Sequence, residues 1–193
     1  MRTKFFSLVF FLIASSSFSQ NAVQLLSATK QLYEANYLMD FEGIVALSYP
    51  KMVETIGKDV LLEKLDQFYE NEEYRLRYQV QTVPFITPKI KKIGNQSFCV
   101  ISCRNPLRYF FEKKLTTDEA ADKKIWLQEI NKTKDVTFEP NRNSFNVKKQ
   151  SKFVAVMDET THGEWKFFNL DDANQLASFE LLIDESVRKE LGL

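Results

Sequence analysis

Few side chains in this chain have the type and spacing that chemistry needs. Asp40 follows Tyr37 by three residues and Glu42 follows two later, which puts carboxylates near a phenol. A general base works from that arrangement when burial lifts its pKa toward the working pH. Asp40 also stands where a helix cap belongs, accepting from the first free amides of a helix over residues 41–47. Tyr33, Tyr37, Tyr49 and Trp165 could line an apolar pocket whose few hydroxyls orient a ligand, or could simply pack the core. Arg104, near a strand end, is either an anion clamp or a solvated rim residue. The one histidine, His162, lies in Thr160-Thr161-His162-Gly163, a turn sequence. With Cys99 and Cys103 it makes no recognisable metal-ligand spacing, since zinc needs about three protein ligands, so neither a metal nor a cofactor is expected.

These residues must be held by helices first and strands later. Leu25, Ala28, Leu32, Ala35 and Met39 step by three or four along one helix, with Tyr33 and Tyr37 on the adjoining row. Asp40 opens a short second helix, and Pro50 forces Tyr49 out of helical geometry. A third helix starts near Gly57 and Lys58, with Val60, Leu61, Leu65 and Phe68 expected on its inner side.

From Tyr74 the period drops to two. Tyr74, Leu76, Tyr78, Val80 and Thr82 share one face of a strand. Pro84 and Pro88 bracket a break before a strand over 89–93, and Gly94-Asn95 turns it into a return strand over 97–104. Asn105-Pro106 predicts a bend or bulge before the strand resumes over 107–112. Cys99 and Cys103, four apart on such a strand, would have Cα atoms ~13 Å apart against a disulfide limit near ~7 Å. They read as buried free thiols on one sheet face.

Thr116-Thr117-Asp118-Glu119 carries the spacing of a capping box and predicts a helix over about 118–132, within an insertion of about 116–134; Ile125-Trp126-Leu127 could also be strand. Residues 136–139 and 144–148 read as a hairpin about Pro140-Asn141-Arg142-Asn143. Lys148-Lys149-Gln150-Ser151-Lys152 gathers cations before a central strand over 153–157; it would suit an acidic partner or an anionic headgroup, or protect an edge. Residues 164–169 return as a strand with Trp165 and Phe167 aligned. One long amphipathic helix, about 172–191, closes the chain, packing Leu176, Phe179, Ile183 and Val187.

Ahead of all this, Arg2 and Lys4 precede an apolar run over 5–14 and then Ser17-Phe18-Ser19, the pattern of a secretory signal peptide cleaved after Ser19. The run is shorter than the ~20 residues a bilayer crossing needs. Cleavage leaves 193 − 19 = 174 residues, read as a single domain over 20–193, exported to a periplasm or beyond the cell. The leader removes two of the 26 basic residues, so 24 face 26 acidic ones. That balance is not the footprint of a nucleic-acid binder, and no transmembrane segment is expected in the mature chain. Asn95-Gln96-Ser97 and Asn131-Lys132-Thr133 match glycosylation acceptors.

The order of elements, with Tyr33-Glu34-Ala35-Asn36-Tyr37, Asp40-Phe41, Tyr49-Pro50, Gly57-Lys58-Asp59 and Gly163-Glu164-Trp165-Lys166-Phe167, resembles the nuclear transport factor 2-like superfamily, which includes the SnoaL-like cyclases. The resemblance implies an α+β fold in which N-terminal helices cap a strongly curved, mainly antiparallel, cone-like sheet, with a C-terminal helix and a pocket between cap and wall. It also implies a family of enzymes, ligand carriers and dimeric adaptors. The His and Asp pair of its isomerases and dehydratases has no counterpart here. The reading is therefore an exported, non-enzymatic binder of a small apolar or amphipathic ligand. The alternatives are an isomerase or dehydratase using Asp40 or Glu42, and a homodimer or interaction module joined through the sheet.

Overall fold

The computed structural model describes residues 21–193 except Pro88. The leader read over 1–19 and the Pro88 end of the proposed break lie outside the described residues. Helix α1 occupies 21–38 and buries Leu25, Thr29, Leu32, Tyr33, Ala35 and Asn36. Met39, expected to continue that stripe, has instead left the helix with φ 57°. The Met39 amide donates to the Asn36 carbonyl at 3.3 Å and the Asp40 amide to the Ala35 carbonyl at 2.8 Å, which closes the helix with a left-handed residue and frees Asp40 to begin the next.

Asp40 caps α2 (Phe41–Leu47), its carboxylate accepting from the Gly43 amide at 2.9 Å. A Cβ on Gly43 would lie 2.3 Å from the other oxygen of that carboxylate, Oδ2, so any larger residue here would force the Asp40 side chain to shift. Tyr49 is extended at φ −63°, ψ 125°, as Pro50 requires of the residue before it. Pro50 also begins a helix not expected from the sequence, α3 (Pro50–Ile56), because the first position of a helix has no use for the amide that proline lacks. Gly57, at φ 90°, then turns the chain into α4 (Lys58–Tyr69). That helix buries Leu61, Leu65 and Tyr69 and leaves Val60 and Phe68 exposed, a rotation of the inner face away from the one expected.

The strands are β1 (Tyr74–Tyr78), β2 (Phe85–Ile86), β3 (Lys91–Ile93), β4 (Gln96–Phe111), β5 (Val136–Glu139), β6 (Ser144–Met157) and β7 (Lys166–Asn169). They form one antiparallel sheet about two long central strands, β4 and β6. β3, β2 and β1 lie in turn along the free side of β4, and β5 and β7 along the free side of β6. The sheet stays open, with no pairing between its two edges among the described residues. The β4–β6 register runs unbroken from Ser97 opposite Met157 to Phe110 opposite Ser144. Asn105-Pro106 therefore makes no bulge in that ladder, and the two strands expected over 144–148 and 153–157 are one. The Pro106 carbonyl still serves the neighbouring edge, accepting from the Gln79 amide at 3.0 Å.

Strand parity divides the sheet into faces. Cys99, Ile101, Cys103, Asn105, Leu107 and Tyr109 face inward and are all buried. On the inner side Tyr33 of α1 packs on Tyr78 and Phe85 at centroid distances of 5.3 and 5.9 Å. The insertion is helix α5 (Thr117–Ile130), started by a capping box in which Thr116 and Glu119 hold each other's amides. Its Trp126 lies 5.8 Å from the Tyr74 ring. On the outer side Phe98, Val154, Val156 and Phe168 are fully buried, and Phe179 meets Phe168 at 5.2 Å.

The expected long last helix is two, α6 (Ala173–Leu182) and α7 (Glu185–Leu191), because Ile183 is extended at φ −113°, ψ 122°. Phe179 and Ile183 are buried while Leu176 and Val187 are half-buried. None of the described helices is long and apolar enough to cross a membrane.

Candidate functional site

Between α1, α4 and the sheet lies a cluster of buried phenols and amides. The Tyr33 hydroxyl donates to Asn105 Oδ1 at 3.1 Å, the Tyr69 hydroxyl to Asn36 Oδ1 at 2.9 Å, and Asn105 Nδ2 to Ser151 Oγ at 3.1 Å. Tyr78 joins them through the Tyr69 hydroxyl and the Asn105 amide. Burial pushes the Tyr33, Tyr69 and Tyr78 phenols well above their ordinary range, so all three stay neutral at ordinary pH. At the margin of the cluster Lys149 pairs with Asp171 at 3.0 Å, both side chains largely covered. Burial likewise lifts the Cys99 thiol to about 11 and Cys103 to about 12, which leaves both unreactive.

The cluster fills the space where a ligand pocket was expected. The void between Leu32 and Asn36 of α1 and Phe153 and Phe167 of the sheet measures about 20 Å³, room for about one water.

An open groove of about 970 Å³ lies instead between α2 and α3 on one side and the β6–β7 loop on the other, with the β3–β4 turn at its end. Its wall is assembled by one carboxylate. Asp158 Oδ2 accepts from the Tyr49 hydroxyl and from Gln96 Nε2, both at 2.8 Å. Asp158 Oδ1 accepts from Thr160 Oγ1 at 2.8 Å and from the Thr161 amide at 3.1 Å. Burial alone would raise the Asp158 pKa, but the donors from Gln96, Thr160, Tyr49 and Thr161 outweigh it and hold the carboxyl below its usual range. Asp158 thereby ties the start of β4, the residue that opens α3 and the loop to one point. Two further links fix the same wall: the Tyr49 amide donates to the Phe167 carbonyl at 3.0 Å, and Lys166 Nζ to the Ala46 carbonyl at 2.9 Å.

The groove presents Lys51, Glu54, Glu159, His162 and Glu164 with Val45, Pro50 and Val53 between them. Such a surface offers hydrogen bonds and charges of both signs around a small apolar floor. It is poorly built for proton transfer, because its best-placed carboxylate is ionised and already accepts four hydrogen bonds. Among the described residues no group of three or more His, Cys, Asp or Glu side chains could hold a metal ion.

Set against family models, curated proteins and solved structures, the chain matches none.

The structure does not bring the residues singled out in the sequence together. Tyr33 is buried under α1, in the phenol cluster. Tyr37 is half-buried on the same helix. Tyr49 is on the opposite side of the sheet, its ring 4.9 Å from Phe168 and its hydroxyl at the groove wall. Trp165 is buried and donates from Nε1 to the Asn21 carbonyl at 3.2 Å, so it anchors α1 rather than facing a ligand. Arg104 is exposed and pairs with Asp135 at 2.8 Å. Asp40 faces solvent as a helix cap, and Glu42 is exposed and paired with Lys58 at 2.8 Å.

Sequence reasoning missed Asp158, Gln96, Asn36, Asn105, Tyr69 and Tyr78. Two signals were present. Asp158-Glu159-Thr160-Thr161 is a side-chain turn sequence, and Asn105 shares the parity of Cys99, Ile101 and Leu107. Asn131 of the second glycosylation match is buried and accepts from the Tyr109 hydroxyl at 3.2 Å, leaving no room for a glycan.

Proposed function

We infer that this is an exported accessory protein that binds a small amphipathic ligand without transforming it, in the groove between its N-terminal helices and the end of the sheet. The observation that carries the reading is the groove, about 970 Å³, whose wall is held rigid by the four hydrogen bonds that Asp158 accepts. Preorganised polar groups around an apolar floor are what orient a small ligand. The filled interior moves the site from inside the fold to its rim, and the mixed charge of Lys51, Glu54 and Glu159 favours an amphipathic ligand over a purely apolar one. Export rests on the leader pattern of residues 1–19. In this reading the helices over the open antiparallel sheet are the cap and wall of a nuclear transport factor 2-like cone, with the pocket at its mouth.

Native mass spectrometry after exposure to a metabolite and lipid extract tests this. A small-molecule adduct should form on the wild-type chain and be lost from a Lys51→Ala, Glu54→Ala double variant, both positions being exposed on α3. Repeatedly ligand-free spectra, or an adduct indifferent to that variant, would contradict it.

A further inference from the structure

The helices α6 and α7 cover only part of the outer sheet face. Further along the two long strands the same face carries Arg104 from β4 and Lys148, Gln150 and Lys152 from β6, all exposed. The register sets Arg104 directly opposite Gln150. Lys148 and Lys152 are therefore its two diagonal neighbours, each about 7–8 Å away. Lys149, the remaining cation of that run, points through the sheet to Asp171 and takes no part. Arg104 has one carboxylate partner, Asp135, with both side chains well exposed. Lys148 and Lys152 have no ion-pair partner among the described residues. The result is a triangle of three cations with Asp135 paired to Arg104, while the nearby Asp171 carboxylate accepts from the Lys152 amide at 3.3 Å and is balanced by Lys149.

We propose that this triangle docks an extended, carboxylate-rich segment of a partner protein. In an extended chain every second side chain points the same way, about 6.6–6.8 Å apart, which matches the spacing from Arg104 to each lysine. Gln150, at the centre, has an amide that can meet the backbone of such a segment. Neither β4 nor β6 contributes an exposed large apolar side chain; Ile86 of β2, opposite Ser102, is exposed on the same face, but one such side chain is less than the apolar stripe that a lipid interface would take up. The proposal does not depend on the groove, since none of the three cations lines it.

The test is fluorescence anisotropy with a labelled peptide of alternating Glu and Ser, its Gln-for-Glu counterpart, and co-sedimentation with phosphatidylglycerol vesicles. The wild-type chain should bind the Glu peptide and not the Gln peptide, with affinity falling as salt rises. A Lys148→Gln, Lys152→Gln double variant should bind at least tenfold more weakly, while Lys114→Gln, Lys124→Gln, the same charge change at exposed positions elsewhere, should bind as wild type. Thermal unfolding of both variants shows that each is folded. Equal losses in the two variants, equal binding of the two peptides, or binding to vesicles without binding to the peptide would each overturn the proposal.

Discussion

At the scale of single residues, Asp158 decides most about the groove. Its carboxylate takes donors from β4, from the start of α3 and from its own loop, and its pKa is depressed on balance. A carboxyl depressed in the folded state stabilises above its unfolded pKa, and that contribution is lost as pH falls through the folded value. Asp158→Asn should therefore lower stability at neutral pH by about 1–2 kcal/mol, through one lost acceptor and the charge-assisted bonds. It should also flatten the acid limb of the stability curve, measured as Tm against pH. An unchanged acid limb would mean that the carboxylate does not organise the loop. The importance of Asp158 was hard to see in the sequence, because its partners Tyr49 and Gln96 are 109 and 62 residues away. Asp40 shows the opposite case. Its local cap was legible because a cap needs only its own next few residues, and that same local duty accounts for its exposure.

At the scale of elements, the boundaries depend on backbone preferences that can be tested one at a time. Met39 closes α1 at φ 57°, a conformation that costs a non-glycine residue about 1 kcal/mol. Met39→Gly should raise stability by about 0.5–1 kcal/mol in denaturant titration, its side chain being exposed and contributing little packing. At α5, the Thr116 backbone amide and hydroxyl, then Lys113, pull the Glu119 pKa from 4.5 to about 2. The sign is that of a depressed carboxylate: the capping box stabilises above pH 4.5 and loses its contribution as pH falls toward 2. Glu119→Gln should leave a smaller change in unfolding midpoint across that window than wild type shows. The capping box was readable because its two members are three residues apart. The break at Ile183 was not, since Leu176, Phe179, Ile183 and Val187 keep helical spacing straight across it. The merging of two short strands into β6 was equally hidden, because the charged stretch 148–152 looks like a loop until β4 is laid beside it.

At the scale of the whole molecule, helices followed by an antiparallel sheet were legible from the change of period at Tyr74, and a C-terminal helix from the stripe of Leu176, Phe179, Ile183 and Val187, though not its division in two. The state of the interior was not. The sequence contains the tyrosines that would line a hollow. Whether they line one or fill it depends on Asn36, Asn105 and Ser151, polar side chains that meet the phenols only in the folded chain and let them close over one another. In the proposed reading, the filled interior makes the groove beside Asp158 the place for a ligand. Backbone amide shift mapping during titration with a metabolite and lipid extract tests this most directly. A ligand held in the groove should perturb only residues around Lys51, Glu54 and the loop from Asp158 to His162. Perturbations centred instead on Tyr33, Tyr69 and Tyr78, with the loop unchanged, would show that the ligand enters the interior and would contradict that reading.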